Sequence, residues 1–235
     1  MPSHCPADEI QVWSAELPKI DGAATGDWAT LNPEEQARAD RFRFPGDRDF
    51  FVQCRSWLRQ VLATYLEQPP DRIRLAYGES GKPRLAEPGP LDLRFNLSHS
   101  GTRAVLAVTR GREVGIDIEA LRPIEDAIAE RFFAPGEVAV LRSLPVTERE
   151  AAFFRCWTRK EAFIKALGDG FSRALDSFEV AFRPGAEPAI LSVDGDPAEG
   201  ARWKVADLAP GLGFAGALAS PTRDWTLRWA EPDRR

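Results

Sequence analysis

The six residues from Val114 to Glu119 constrain this chain more than any others. Val114, Ile116 and Ile118 alternate with Gly115, Asp117 and Glu119, the period-two pattern of a strand with one apolar and one acidic face. Both carboxylates therefore point the same way, and the fold must bury the apolar face while leaving two like charges side by side on the other. Acids so placed repel each other and are useful chiefly when a cation sits between them. Oxygen ligands of this kind suit Mg2+ or Mn2+ rather than a soft metal. Taken alone, an Asp-x-Glu is more often a solvated strand end.

Further along, Phe153-Phe154-Arg155-Cys156-Trp157-Thr158-Arg159-Lys160-Glu161-Ala162-Phe163-Ile164-Lys165 carries apolar residues at helical spacing. Thr147 with Glu150 predicts a capping box at the start of this helix, and Gly168 predicts its stop. Glu161 and Lys165 fall one turn apart on one face, by themselves an ordinary surface pair. Trp157 and Ile164 share that side, which predicts a packed or ligand-facing surface. A third carboxylate beside Asp117 and Glu119 completes a three-acid magnesium site, and Lys165 lies one turn on, within reach of phosphate oxygens.

Around these two elements the pattern reads as an α+β chain. A first strand is expected over residues 10–17, followed by a loop through Gly22, Gly26 and Asp27. Asn32-Pro33-Glu34-Glu35 starts a helix, with Asn as cap and Pro at the first helical position. A second helix runs over about 47–67 and stops at Pro69-Pro70. Strands are expected at 73–77, 93–98, 103–109 and 113–119, giving helices set against a meander. The second half repeats this plan loosely, with helices over 124–144 and 147–167 and strands near 178–182, 189–193, 202–206, 214–219 and 226–230. Phe50-Phe51 with Cys54 and Trp57 echo Phe153-Phe154 with Cys156 and Trp157. A linker near 120–123 then divides two lobes, 1–120 and 121–235.

Composition narrows the function. The 235 residues suffice for one large domain or two small lobes. A net charge of −5 offers no overall basic field for a nucleic-acid partner. No run is long enough to span a bilayer, and Met1-Pro2-Ser3-His4-Cys5 lacks a charged start followed by an apolar stretch. A cytoplasmic protein with no membrane partner is expected. Cys5, Cys54 and Cys156 are scattered and odd in number, against a disulfide framework or a zinc site. His4 and His99 are too few for a histidine-rich metal centre.

Three further segments have ordinary readings. Gly81-Lys82-Pro83 is a turn and not a P-loop, because Pro83 stands where Ser or Thr must meet magnesium. Ser98-His99-Ser100 is not a nucleophile with its base, since adjacent strand residues face opposite ways and no G-x-S-x-G elbow is present. Arg38, Arg41, Arg43 and Arg48 interleave with Glu34, Glu35, Asp40, Asp47 and Asp49, the pattern of a solvated, salt-bridged face.

Taken together, however, Gly115-Ile-Asp-Ile-Glu119 and Trp157-Thr-Arg-Lys-Glu-Ala-Phe-Ile-Lys165 resemble the two signature motifs of the 4′-phosphopantetheinyl transferase superfamily. Gly81-Lys82-Pro83 and Phe95-Asn96-Leu97-Ser98-His99-Ser100 resemble additional motifs of its longer, Sfp-like (surfactin-synthetase-activating) branch. The match spans roughly residues 32–178. The resemblance implies a pseudo-twofold monomer of two similar α+β lobes with coenzyme A in the cleft between them. The implied reaction moves 4′-phosphopantetheine from coenzyme A to a serine hydroxyl of an apo acyl or peptidyl carrier protein, leaving adenosine 3′,5′-bisphosphate.

The same resemblance assigns roles. Asp117, Glu119 and Glu161 hold Mg2+, or Mn2+, against the diphosphate, and Lys165 with Lys160 adds positive charge at the transferring group. Glu161 takes the serine proton, directly or through water. Lys82 and His99, with Ser98 nearby, bind the 3′-phosphate, and Arg38 and Arg41 meet nucleotide phosphates. One departure leaves the 3′-phosphate arginine undecided: relatives commonly carry a basic residue where Phe50 stands, and the nearest arginine is Arg48. Gly168 and Gly170 form a loop beside the pantetheine and carrier. Two readings from other classes stay open, a magnesium-dependent hydrolase of a nucleotide diphosphate and a non-catalytic module that binds coenzyme A or the carrier. A pure binder has little use for three clustered acids and Lys165.

Overall fold

Each half of the chain opens with a strand that is later recruited to the hairpin closing the same half. The computed structural model describes residues 5–17, 27–78, 81–87, 89–168 and 173–230. The first half runs β1 (Glu9–Glu16), α1 (Pro33–Ala39), α2 (Pro45–Leu66), β2 (Leu75–Tyr77), β3 (Pro83–Leu85), β4 (Leu93–Ser100) and β5 (Arg103–Arg110). The second runs β6 (Gly115–Ala120), α3 (Asp126–Phe132), α4 (Pro135–Ser143), α5 (Val146–Leu167), β7 (Phe178–Ala181), β8 (Ala189–Val193), α6 (Pro197–Ala201), β9 (Trp203–Leu208) and β10 (Phe214–Pro221), followed by β11 (Thr226–Trp229).

β1 pairs antiparallel with β5, itself paired with β4, while β6 pairs antiparallel with β10, itself paired with β9. A short hairpin, β2–β3 or β7–β8, follows the long helix of each half. The α+β class and the repeated plan follow from this topology. The repeat, however, begins at β6, ahead of the division expected at residue 120, because β6 serves the second half as β1 serves the first. β11 then returns to pair in parallel with β1, so the span 121–235 is not self-contained.

The repeat is sharpest in two buried ion pairs. Pro33 and Pro135 both open helices, and Glu35 and Glu137 sit two residues on. Glu35 lies 2.7 Å from Arg59 on α2, and Glu137 lies 2.7 Å from Lys160 on α5. Arg59 and Lys160 stand equally far from the first residues of two helices that are each 22 residues long. At α1 Asn32 caps the helix as the sequence predicts, and a full capping box forms, with the Glu35 amide donating to Asn32 Oδ1 at 2.8 Å and the Asn32 amide donating back to Glu35 at 3.2 Å.

The apolar face of β6 is buried between the two larger sheets, where Ile116 and Ile118 pack with Ile10, Val12, Leu218 and Trp225. One separate core lies between α2 and the first sheet, and another between α5 and β7–β10.

Several expected boundaries differ. The single helix expected over 124–144 is broken into α3 and α4, because Pro135 has no amide to donate and holds Ala134 extended at ψ 150°. The capping box expected of Thr147 and Glu150 does not form: α5 starts at Val146 behind Pro145, which puts both residues inside the helix. Similarly, α2 starts at Pro45 rather than 47, and β3 and α6 were not anticipated. Gly22, Gly26 and Gly170 lie outside the described residues. Among the described residues no helix is long and apolar enough to cross a membrane.

Candidate active site

The site is made where β6 crosses α5. Gly115 touches the helix so closely that an added Cβ would collide with the Ala162 carbonyl oxygen and the Ala166 amide, and would lie 2.9 Å from the Lys165 carbonyl carbon. Only glycine permits this approach. Two residues on, β6 presents Asp117 and then Glu119, while α5 presents Glu161 and Lys165. These four side chains line one pocket of about 330 Å³ together with Ser98, His99 and Trp157.

Asp117 Oδ1 accepts from Lys165 Nζ at 2.6 Å and from Ser98 Oγ at 2.8 Å. Lys165 thus pairs across the crossing with Asp117 rather than forming an isolated pair along its own helix with Glu161. Asp117 Oδ2 is buried without a hydrogen-bond partner. Burial pushes the Asp117 carboxyl up, against the opposing pull of Lys165. Glu161 is also pushed up, first by burial and then by the Asp117 and Glu119 charges, with Lys165 opposing. Glu119 accepts from Ser100 Oγ at 3.0 Å and from Arg122 at 2.8 Å. Among the described residues no three acid, histidine or cysteine side chains converge tightly enough to chelate an ion as they stand. Two of these acids are instead turned onto serine and cationic partners.

A polar ladder joins this strand to the first sheet. The amides of Ile116, Ile118 and Ala120 donate to Asn96 Oδ1 at 2.8 Å, Ser98 Oγ at 3.4 Å and Ser100 Oγ at 3.0 Å. Alternate side chains of β4 thereby take the place of a carbonyl edge, satisfying buried amides that would otherwise be costly. The two serines that accept from β6 also donate to its acids. Sequence reasoning gave Ser98 a phosphate and overlooked Asn96 and Ser100. The available signal was the alternation of Asn96, Ser98 and Ser100 along one face of the strand.

Two adjoining pockets extend the cleft, and Leu97 and His99 line all three. One, of about 240 Å³, is lined by Gly81, Lys82, Arg55, Glu161, Lys165 and Gly168. The other, of about 340 Å³, is lined by Arg38, Asp47, Phe50, Phe51 and Arg55. Arg55, absent from the sequence expectations, lines both; its buried NH1 has no hydrogen-bond partner, and its guanidinium sits 5.3 Å from the Phe51 ring centroid and 5.6 Å from that of Tyr77. The signal for it was a cation on the buried face of α2 with no acid one turn away.

Other expected residues are placed elsewhere. Arg41 and Arg48 line none of these three pockets. Arg48 lies over Trp28 at 4.9 Å and 3.5 Å from Asp40. Lys160 does not join the acids: its ammonium is fully buried against Glu137 and donates to the carbonyls of Leu175 at 2.7 Å and Phe178 at 2.5 Å. Helical geometry explains this, since Lys160 and Glu161 are 100° apart around α5. Lys82 reaches the cleft, but its ammonium donates to main-chain carbonyls, Val114 at 3.1 Å and Lys165 at 2.6 Å.

Known proteins supply an independent comparison. Residues 113–219 match the model of the 4′-phosphopantetheinyl transferase superfamily, and residues 19–111 match that of the 4′-phosphopantetheinyl transferase N-terminal region. The seam between the two falls just before β6. The 4′-phosphopantetheinyl transferase HetI of Nostoc sp. is 40% identical over 225 residues, covering 93% of this chain and 90% of its own. The 4′-phosphopantetheinyl transferase Sfp of Bacillus subtilis is 32% identical over 191 residues, 81% of this chain and 83% of its own. Among solved structures, the holo-[acyl-carrier-protein] synthase of Thermotoga maritima aligns with a TM-score of 0.37 at 21% identity, over 47% of this chain and 63% of that one.

Proposed function

The chain belongs to the 4′-phosphopantetheinyl transferase superfamily, and from that membership we propose that its cleft binds coenzyme A with Mg2+ and passes the 4′-phosphopantetheine group to a serine hydroxyl of an apo acyl or peptidyl carrier protein. The observation that carries this reading is the single pocket in which Asp117, Glu119 and Glu161, drawn from two elements, stand beside Lys165.

The residues fit a hard divalent cation: all three are oxygen donors, and the buried Asp117 Oδ2 lacks a partner. The same donors suit Mn2+. Once bound, such an ion neutralises diphosphate charge and stabilises the leaving phosphate. Lys165 supplies fixed positive charge at the transferring group. Glu161, its acidity weakened by burial and neighbouring acids, accepts the serine proton. The serine oxygen bonds to the β-phosphorus, the bond from that phosphorus to the bridging oxygen breaks, and adenosine 3′,5′-bisphosphate departs with the electron pair. At the far end of the cleft Arg38, Arg55 and His99 receive the nucleotide phosphates, and the unpartnered Arg55 NH1 supports a phosphate contact there.

The same reading has the protein act as a monomer in the cytoplasm. In its support, the cleft lies within one chain and the three cysteines are free and buried, as a reducing compartment permits.

Intact-mass spectrometry of an apo carrier protein incubated with this protein, coenzyme A and Mg2+ tests the proposal. The expected result is a gain of one phosphopantetheine, abolished by EDTA. Coenzyme A cleaved with the carrier unchanged would instead establish a hydrolase, and coenzyme A bound but intact a binding module; either overturns the reading.

A further inference from the structure

We propose that Lys82 is a positioning residue, a staple that fixes the crossing of β6 and α5, and not a ligand of the coenzyme A 3′-phosphate. The proposal rests on the transferase reading and deepens it.

The two elements that carry every acid of the site meet at one point. Gly115 removes the side chain that would hold them apart, which allows the close approach but supplies no bond to maintain it. Lys82 supplies that bond. Its ammonium, delivered by the β2–β3 hairpin of the other half, donates at 3.1 Å to the carbonyl of Val114, the residue that leads into β6. It also donates at 2.6 Å to the carbonyl of Lys165. That carbonyl is among the last four of α5, which have no partner within the helix, and a cation there is favoured by the helix dipole. One side chain therefore ties the start of the strand bearing Asp117 and Glu119 to the end of the helix bearing Glu161 and Lys165.

An ammonium has three donors. Two are used on these carbonyls, and Glu113 Oε2 lies 4.0 Å away on the remaining side. A phosphate arriving here would have to displace one of these carbonyls or take the one remaining donor beside a carboxylate. Arg55, with a buried and unpartnered NH1 in the same pocket, meets neither obstacle.

The test compares coenzyme A with 3′-dephospho-coenzyme A as donors for the wild-type protein and for Lys82→Met and Lys82→Arg. Misplacement of reacting groups by a fraction of an ångström is expected to lower kcat by about 10-fold to 100-fold. For a staple, the loss falls on kcat, is the same for both donors, and appears in Lys82→Arg as well. The planar guanidinium keeps the charge but cannot direct donors from one point to both carbonyls. A rise in KM for coenzyme A that vanishes with the dephospho donor, and that Lys82→Arg restores, would make Lys82 a phosphate ligand and overturn the proposal. Unchanged kinetics in both variants would overturn it equally. Should Lys82→Met not fold, Lys82→Arg alone separates these outcomes. Absence of transfer by the wild-type protein would refute the underlying reading instead.

Discussion

In the proposed reaction Glu161 and Arg55 divide the work of the cleft between a proton and a phosphate, and each role is testable by itself. Glu161→Gln keeps the shape of the side chain and removes its basicity, so turnover is expected to fall by about 10²-fold to 10⁴-fold while coenzyme A binding, followed calorimetrically, persists. Full turnover would sink the assignment of Glu161 as base. Arg55→Ala removes a charged donor already desolvated between two rings. Its KM for coenzyme A is expected to rise by about 10-fold to 100-fold, with little change for 3′-dephospho-coenzyme A. Equal effects on both donors would show that Arg55 does not read the 3′-phosphate. Glu161 was legible in the sequence because a carboxylate one turn before a lysine, on a face shared with Trp157 and Ile164, is a local pattern. Arg55 was not, because its significance lies in what fails to neutralise it in three dimensions. Lys160 shows the opposite failure: motif proximity suggested a role that one step of helical rotation removes.

The elements matter most where they touch. Gly115→Ala would drive a methyl group into the backbone of α5, and because neither main chain can yield as a side chain would, the cost is expected to exceed about 3 kcal/mol, the upper end of usual overpacking. Chemical denaturation would measure it, and an undiminished midpoint would show that β6 and α5 do not pack as described. Ser100→Ala is the gentler probe of the β4–β6 ladder. It removes both an acceptor for the Ala120 amide and a donor to Glu119. Loss of such an outer partner is expected to weaken metal binding by about 10-fold to 100-fold, to be read by titrating Mn2+ against its free electron paramagnetic resonance signal, and an unchanged affinity would count against the ladder as an orienting device. Strong periodicity made β6, α2 and α5 readable from the sequence. Contacts between strands of different sheets leave no periodic trace, so the partners of Asn96, Ser98 and Ser100 were invisible. The break at Pro135 was overlooked because the apolar spacing continues across it.

At the scale of the whole molecule, the same strand-helix-hairpin plan is built twice around buried groups that tolerate little change in charge. Burial raises the Cys5 thiol to about 11 and the Cys54 thiol to about 12, whereas unfolded thiols titrate near about 8.5. Between these values the folded state holds more protons than the unfolded one, so stability is full below the unfolded value and is lost as pH rises through 11 to 12. Urea unfolding at successive alkaline pH is expected to show a falling midpoint above about pH 9, and a flat profile would mean that the thiols are more accessible than their burial implies. β6 pairs with strands that follow the division expected at 120, a matter of pairing over about a hundred residues that local pattern cannot report. The return of β11 to β1 has a consequence for biosynthesis. β1 has one edge covered by β5 and the other bare until residues 226–229 have been made. A growing chain must therefore carry an open, pairing-competent edge after β5 has paired and until β11 follows, and a chain cut between β10 and β11 would keep Asp117, Glu119, Glu161 and Lys165 with that edge still exposed to a neighbour.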